Sequence, residues 1–282
     1  KLQVVATIFP LYDFARAVAG DRAEVRLLLP PGVEAHSFEP RPEDVLRLQK
    51  ADIFLYTLPA MEPWGAHMLK SVEGGRLTVI EAGGGVPLRR PESRDAHGHG
   101  HEQEPGGGVD PHIWLDPQRA ALMVENIARG FAARDPQGAE VYAKNAAEYR
   151  AKLAALDAEY RDGLRGCGSK VLLHGGHYAF GYLAERYGLR YLAAFPPGES
   201  EPTPREMASL VELMRQKGMR HVFYEELATP RTAQTLAREV GGETLLLHGA
   251  HNVSRQELEG GITYLQIMRN NLAALRTGLQ CR

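Results

Sequence analysis

Short apolar segments alternate with helical patterns through the first half of the chain, and this alternation limits the fold more than any other feature. The segments "LQVVATI", "AEVRLLLP" and "DIFLYTL" are strand-like, whereas "PLYDFARAVAG" and "PEDVLRLQKA" between them have helical spacing. Strands and helices that alternate at this spacing predict βαβ units with a mainly parallel sheet. We therefore expect an α/β lobe on the N-terminal side.

A second series of the same kind begins after residue 165. The segments "SKVLLHG", "LRYLAAF", "RHVFYEEL" and "ETLLLHG" indicate strands, and helical patterns such as "TPREMASLVELMRQKG" separate them. The C-terminal part of the chain therefore predicts a second α/β lobe of similar size.

A long helical segment, "GAEVYAKNAAEYRAKLAALDAEYRDGL", lies between the two series. Its large apolar and aromatic residues recur at the period of one helical face. These residues are Tyr142, Tyr149, Leu153, Leu156 and Tyr160. At ~1.5 Å per residue the helix would be roughly 39 Å long, enough to run the length of two lobes. We predict an α/β fold of two βα lobes with mainly parallel sheets, at 1–135 and 166–282, joined by one long rigid helix at 136–165.

Composition restricts the classes of function. The 282 residues carry a formal net charge of −2, which gives no electrostatic reason to expect a nucleic-acid partner. No apolar run approaches the ~20 residues that a membrane helix needs, and the chain opens on the strand-like "KLQVVATIFP". We therefore expect either a cytosolic protein or one whose signal peptide has been removed. The sequence also lacks the P-loop motif and the HExxH and GxSxG motifs of two hydrolase classes.

The two cysteines, Cys167 and Cys281, leave two interpretations open. A pair suits a single disulfide in an oxidising compartment, where the bond would close a long loop. Two unrelated thiols fit the same count equally well.

Four histidines stand at or just after predicted strand ends. They are His36, His112, His177 and His251. Open α/β sheets bind their ligands at strand ends, and clefts between domains are frequent sites for small ligands. Two of the four histidines come from each lobe, so a site in the interlobe cleft would bring four imidazoles together. For any one of them alone, the alternative is a hydrogen-bonded loop histidine.

The segment "GGGVPLRRPESRDAHGHGHEQEPGGGVD" interrupts the N-terminal series with glycine, proline and charge. This composition predicts a mobile surface loop at about 91–108. Its alternating glycines and histidines make His97, His99 and His101 candidates for an accessory metal loop. A linker with chance histidines fits the same composition.

Five stretches distributed along the chain form a recognisable set. They are "VVATIFPLYDFARAVAGD", "LLPPGVEAHSFEPRPEDVLRLQKADIFLY", "DPHIWLDP", "GGHYAFGYLAERYGL" and "TYLQIMRNNLAALRTGL". Together these stretches resemble the periplasmic zinc- and manganese-binding proteins of bacterial ABC transporters. The resemblance covers nearly the whole chain and implies a metal site in the interlobe cleft. It also implies delivery of the metal to a membrane permease, in the periplasm or from a lipid anchor. We expect a monomer, and the implied oxidising periplasm predicts that Cys167 and Cys281 are joined.

Transferred residue by residue, the resemblance places three metal ligands at His36, His112 and His177. The fourth implied ligand is His251, which occupies the place of an aspartate in manganese-binding members. Zinc-binding members also often carry a histidine-rich loop in the region of "HGHGHEQE".

Other positions bear on the fourth ligand. Some zinc-binding members use a glutamate directly before the first histidine, but that place holds Ala35 here, and Glu34 lies one residue further away. His248 is the alternative fourth ligand.

The ligand set favours zinc over manganese, because imidazole suits zinc whereas manganese prefers carboxylate and carbonyl oxygens. Four imidazoles would make a closed tetrahedral site without a position for catalytic water, so we expect no enzymatic activity. A manganese-binding member of the same family is one alternative. A zinc-dependent hydrolase with three histidines and an open water position is another.

Carboxylates near these histidines are candidates for orienting them from outside the ligand shell of the metal. Asp110 and Asp116 lie on either side of His112, and Glu225 would offset local positive charge. Asp116 fits equally well as the cap of the helix that follows it.

Overall fold

The computed structural model describes residues 1–72, 76–90, 108–195 and 201–282. The chain divides into two compact units, each assembled from separate stretches. Unit 1 comprises Lys1–Leu88, Ile113–Asp157 and Ala250–Gln266. Unit 2 comprises Arg89–His112, Ala158–Gly249 and Ile267–Arg282. The predicted lobes are contiguous stretches of sequence, and the units differ from them in two places. The described residues of 89–112 belong to unit 2 and not to the N-terminal lobe, and residues 250–266 belong to unit 1 and not to the C-terminal lobe.

Unit 1 contains a parallel sheet. Its strands are β1 (Leu2–Ala6), β2 (Ala23–Leu27), β3 (Ile53–Tyr56) and β4 (Thr78–Glu81). Their order is β2-β1-β3-β4, and Val4 of β1 pairs with Val25 on one side and with Ile53 on the other. Val4 and Ile53 are buried, as expected for central strands of a parallel sheet.

Helices accompany this sheet. The first four are α1 (Phe9–Ala19), α2 (Pro42–Gln49), α3 (Gly65–Lys70) and α4 (Pro117–Arg134). α1, α2 and α4 each carry a proline in the first turn, where its missing N–H costs no helical hydrogen bond. Gly130 lets α4 approach β4, because a Cβ at this position would overlap the side chain of Ile80.

The predicted long helix is α5 (Ala139–Gly163), which has 25 residues. The residues predicted to share one face, from Tyr142 to Tyr160, are all buried, with at most 6% of each exposed. Residues 139–157 of α5 belong to unit 1 and the rest to unit 2. Among the residues described, no helix combines the length and the apolar character that crossing a membrane requires.

Unit 2 contains a second parallel sheet. Its strands are β5 (Val171–His174), β6 (Arg190–Ala193), β7 (His221–Tyr224) and β8 (Glu243–Leu246), in the order β6-β5-β7-β8. Its helices include α6 (Gly181–Arg186), α7 (Pro204–Lys217) and α8 (Arg231–Glu239). Leu173, Met214, Val222 and Leu236 are buried in one apolar core. Two parallel-sheet α/β lobes and a long helix confirm the predicted fold class.

The chain ends with α9 (Arg255–Glu259) and α10 (Tyr264–Gly278). Cys167, which follows α5, and Cys281, which follows α10, form a disulfide across 114 positions of sequence. The same two residues form an isolated antiparallel β-bridge. The predicted disulfide is confirmed, and it ties the end of α10 to the segment that leads into β5.

Each sheet has a point at which the strand order reverses. β1 and β3 lie side by side, with β2 and β4 outside them, and β5 and β7 have the same relation to β6 and β8. Ligands of open α/β sheets bind outside the carboxyl ends of strands at such a point. In unit 2, these ends are His174 of β5 and Tyr224 of β7.

Candidate metal site

His177 and Glu225 lie beyond the carboxyl ends of β5 and β7. A short loop carries His177, whereas Glu225 follows its strand directly. Nδ1 of His177 contacts Oε2 of Glu225, and the backbone N–H of His177 donates to Oε1 at 3.4 Å. Because a carboxylate only accepts hydrogen bonds, it holds the imidazole proton on Nδ1 and directs the ring lone pair to Nε2.

Gly176, directly before His177, permits this contact. A Cβ at position 176 would lie 2.7 Å from Oε1 of Glu225 and 2.8 Å from Cε1 of His174. His174 is buried, and its Nδ1 lies 3.1 Å from the carbonyl of His177. Burial lowers the pKa of His174 to about 4, so this ring is neutral near pH 7. The loop is therefore shaped by groups that leave no room for a side chain at position 176.

His112 belongs to the same unit, and Asp110 holds it in a similar way. Oδ1 of Asp110 lies 2.8 Å from Nδ1 of His112 and accepts a hydrogen bond from its backbone N–H at 3.1 Å. Both residues are buried, with 3% of His112 exposed. The Asp110 carboxylate therefore also directs the lone pair of its histidine to Nε2.

The two imidazoles face each other through Nε2. The Nε2 atoms of His112 and His177 are 3.4 Å apart. With both protons held on Nδ1, two lone pairs point toward each other, and they repel unless a cation lies between them. Two imidazole nitrogens bound tetrahedrally to one zinc ion at ~2.0–2.1 Å would also be about 3.4 Å apart. The pair therefore has the spacing of two ligands of a single zinc ion.

His36 lies in unit 1, in the loop after β2, where neighbouring groups fix the backbone. The carboxylate of Glu34 accepts hydrogen bonds from the backbone N–H groups of His36 at 3.0 Å and Ser37 at 2.8 Å. Although burial opposes them, these hydrogen bonds lower the pKa of Glu34. The indole N–H of Trp64 donates to the carbonyl of Ala35 at 3.1 Å. The half-buried His36 is thus carried by an ordered loop.

His251 lies in the same unit as His36, and Asn252 joins their loops. Nδ2 of Asn252 donates to the carbonyls of Pro30 and Val33 at 2.8 and 2.7 Å. His251 is buried, with 3% of its surface exposed. Within unit 1, the structure therefore holds together the two loops that carry predicted ligands.

His248, the alternative fourth ligand, lies in unit 2 and is held by other groups. Its Nδ1 is 3.5 Å from Oε2 of Glu226. Its backbone N–H and carbonyl both bond to the side-chain amide of Asn271, each at 2.7 Å. Glu225 and Glu226, which are consecutive after β7, thus face different histidines.

Asp116 and the three histidines of the predicted accessory loop are the remaining residues that the sequence singled out. Asp116 caps α4, since its side chain accepts a hydrogen bond from the backbone N–H of Gln118 at 2.8 Å and pairs with Arg119. Capping is the alternative that the sequence left open for Asp116. The candidates for the accessory loop, His97, His99 and His101, lie outside the described residues.

Arg89 is a partly buried cation beside Asp110 for which the sequence offered no signal. Its Nη1 lies 3.6 Å from Oδ2 of Asp110 and donates to the hydroxyl of Tyr178 at 2.6 Å. In the sequence, Arg89 stands at the edge of a charge-rich segment and resembles a surface residue. Only folding brings it next to Asp110. Glu226 was also missed, although its place directly after a predicted strand is a usable signal.

A family model described as "Zinc-uptake complex component A periplasmic" matches residues 4–278. The chain is 37% identical to the high-affinity zinc uptake system protein ZnuA of Bacillus subtilis (strain 168), over 99% of this chain and 88% of that protein. It is 36% identical to the zinc-binding lipoprotein AdcA of Streptococcus pneumoniae serotype 4, over 98% of this chain. The chain spans 55% of the length of this streptococcal relative.

Solved structures show the same fold. The Zn(II)-bound ZnuA-like domain of Streptococcus pneumoniae AdcA matches with a TM-score of 0.83 and 34% identity, covering 99% of each chain. The laminin-binding protein Lmb of Streptococcus agalactiae, described as an adhesin with metal-transporting activity, matches with a TM-score of 0.85 and 28% identity, again covering 99% of each chain. These likenesses agree with the resemblance seen in the sequence.

Proposed function

This chain belongs to the family of periplasmic zinc-uptake complex components, and we propose from that premise that it captures zinc outside the cytoplasm and delivers it to an ABC permease. Support comes from the zinc-uptake and zinc-binding proteins to which it is similar over 98–99% of its length. Zinc is the cargo in this proposal, so the site must bind the ion tightly and later release it.

The observation that carries the proposal is the arrangement of His112 and His177. Their Nε2 atoms have the 3.4 Å spacing of two zinc ligands. A carboxylate at each Nδ1 favours the tautomer that binds metal through Nε2. His36 is the third proposed ligand, because its loop resembles the loop that carries the first ligand in the zinc- and manganese-binding family. Neutral imidazoles favour zinc over manganese, which prefers oxygen ligands.

His251 is the proposed fourth ligand. It is buried, and the side chain of Asn252 ties its loop to the loop that carries His36. Its imidazole would close the tetrahedron and leave no coordination position for a reactive water. A closed site favours binding over catalysis, so the protein is proposed to be a carrier and not an enzyme.

The permease partner, the extracytoplasmic location and a monomeric state belong to the same proposal. The family description names a component of an uptake complex in the periplasm, and one relative is called a lipoprotein. Both descriptions agree with the expected location in the periplasm or on a lipid anchor. His97, His99 and His101 are proposed as accessory ligands that bind zinc more weakly than the main site.

Calorimetric titration of the metal-free protein with zinc and with manganese tests the proposal. The wild type should bind one zinc ion tightly and manganese more weakly. His112→Ala and His177→Ala should each remove the tight site, whereas His67→Ala, which changes an exposed histidine of α3, should retain it. Tighter binding of manganese would overturn the metal assignment. A tight site that survives both alanine variants of the facing pair would overturn the proposed ligands.

A further inference from the structure

Arg89 lies in unit 2 among polar and aromatic groups, with only 16% of its side chain exposed. Its Nη1 donates to the hydroxyl of Tyr178 at 2.6 Å, and its Nε lies 2.9 Å from Oε2 of Glu185. The guanidinium carbon lies 6.0 Å from the ring centroid of Tyr178 and 5.7 Å from that of Tyr182. Aromatic rings at these distances stabilise an arginine that has lost most of its water.

Asp110 faces this cation with the carboxylate oxygen that His112 does not contact. Oδ2 of Asp110 lies 3.6 Å from Nη1 of Arg89 and receives no hydrogen bond from any residue that the structure describes. Because Asp110 is fully buried, the charge of Arg89 supplies the electrostatic stabilisation that water would otherwise give this oxygen.

Backbone hydrogen bonds hold the same two residues in register. The N–H of Asp110 donates to the carbonyl of Arg89 at 2.9 Å. The hydroxyl of Tyr182 accepts from the N–H of Arg89 at 3.0 Å and donates to the carbonyl of Asp110 at 2.7 Å. The position of the guanidinium relative to the carboxylate is therefore fixed from both main chain and side chain.

Gly181, the first residue of α6, makes room for the guanidinium. A Cβ at position 181 would overlap Nη1 of Arg89 and would lie 2.8 Å from both Oδ2 of Asp110 and the hydroxyl of Tyr178. The helix start approaches these groups closely only because residue 181 has no side chain.

From this geometry we infer that Arg89 is a positioning residue for metal binding: it fixes the Asp110 carboxylate and, through it, the orientation and tautomer of His112. This role deepens the proposed function and rests on it, because it matters for binding only if His112 is a ligand. A lysine would keep the charge but would lack the planar fork, whose Nη1 reaches Asp110 and Tyr178 while its Nε reaches Glu185.

Zinc titration of three variants tests the role. Arg89→Met keeps most of the side-chain volume without the charge, and it should weaken zinc binding about ten- to a hundredfold, as is usual for groups that orient a metal ligand. Arg89→Lys should recover part of this loss. Arg90→Met, the matched control, removes an exposed neighbouring arginine and should bind zinc like the wild type.

Glu185→Gln is a further variant that tests the same role and should fold even if Arg89→Met does not. The side chain of Glu185 is 55% exposed, so its loss leaves no buried charge unpaired at this position. Removing the carboxylate releases the guanidinium on one side and should weaken zinc binding about threefold, because an exposed ion pair contributes little.

A second readout separates positioning from a general loosening of the fold. In nitrogen-15 NMR spectra of the metal-free wild type, His112 should carry its proton on Nδ1, with His112→Gln used to assign the signal. In Arg89→Met and Glu185→Gln, His112 should populate both of its neutral tautomers. His177, which Glu225 holds, should still carry its proton on Nδ1.

The possible results are distinct. An unchanged tautomer of His112 together with unchanged zinc affinity in both variants would overturn the role of Arg89 while leaving the proposed function intact. A wild type that does not bind zinc would overturn the proposed function, and the tautomer of the metal-free protein would still decide whether Arg89 positions His112.

Discussion

The Nε2 atoms of His112 and His177 face each other across 3.4 Å, while a carboxylate occupies the Nδ1 side of each ring. Both rings are therefore oriented before a metal arrives, and little side-chain entropy remains to be lost on binding. Asp110 reaches His112 along the chain, whereas Glu225 reaches His177 from a neighbouring strand. Two different local structures thus produce the same orientation of an imidazole.

Replacing Glu225 with glutamine should weaken zinc binding about ten- to a hundredfold. A glutamine amide donates as well as accepts, so it no longer fixes the proton on Nδ1 of His177. Glu226→Gln is the matched control, because Glu226 is adjacent in sequence but faces His248. Calorimetry should show a much smaller loss for this variant. A larger loss for Glu226→Gln would contradict the role of Glu225 and favour His248 as a ligand.

Zinc should raise the melting temperature of His248→Ala nearly as much as that of the wild type, and that of His251→Ala much less. Binding to the native state adds RT ln(1 + [L]/Kd) to stability, about 4 kcal/mol at a thousandfold excess of zinc over Kd. Scanning calorimetry with and without zinc measures the shifts. The reverse order would move the fourth ligand to His248, and equal shifts in all three proteins would exclude both histidines.

Glu62 gives unit 1 a dependence of stability on pH. Its buried carboxyl accepts hydrogen bonds from the hydroxyl of Thr7 at 2.6 Å and the N–H of Thr57 at 3.1 Å. Burial nevertheless raises the pKa of Glu62 from 4.5 to about 7. Between these values the folded protein keeps a proton that the unfolded chain releases, so the stability contributed by the protonated carboxyl is present below pH 4.5 and lost as pH rises toward 7.

Glu62→Gln should remove this dependence, because glutamine does not ionise. Between pH values below 4.5 and above 7, the free energy of unfolding of the variant should rise by about 3 kcal/mol relative to that of the wild type. Urea denaturation on both sides measures the difference. Glu43→Gln, which changes an exposed residue of α2, should follow the wild type. If Glu62→Gln also follows the wild type, the pKa of Glu62 is not raised.

The double substitution Cys167→Ser/Cys281→Ser should lower the free energy of unfolding by about 4 kcal/mol, because the disulfide closes a long loop in the unfolded chain. The loop spans 114 positions of sequence. Urea denaturation of the oxidised wild type and the double variant measures the effect. Equal stability of the two proteins would show that the bond does not constrain the unfolded state as expected.

Local sequence patterns predicted the fold because each pattern has few stable outcomes. The alternation of apolar segments and helical patterns gave two parallel sheets, and the stripe from Tyr142 to Tyr160 is the buried face of α5. The position of His177 after a strand predicted its place at the carboxyl end of the unit 2 sheet. These features depend on residues that are neighbours along the chain.

The features that were not predicted depend on contacts between distant residues. Residues 250–266 join unit 1, where Asn252 bonds to the carbonyl of Pro30, 222 positions earlier in sequence. Arg89 meets Asp110 only after folding, and nothing near it in sequence marks it as partly buried. From the sequence, Asp116 could be either a helix cap or a group that orients His112, because a carboxylate at this position can serve in either role.

Anomalous diffraction from crystals grown with zinc, measured on both sides of the zinc absorption edge, tests the central claim most directly. We predict one strong zinc peak per chain, with Nε2 of His112 and Nε2 of His177 both ~2.0–2.1 Å from it. Ring nitrogens of His36 and His251 should complete the tetrahedron, and a water in place of His251 would instead restore the open position that a zinc hydrolase requires. A zinc peak that contacts neither His112 nor His177 would contradict the claim.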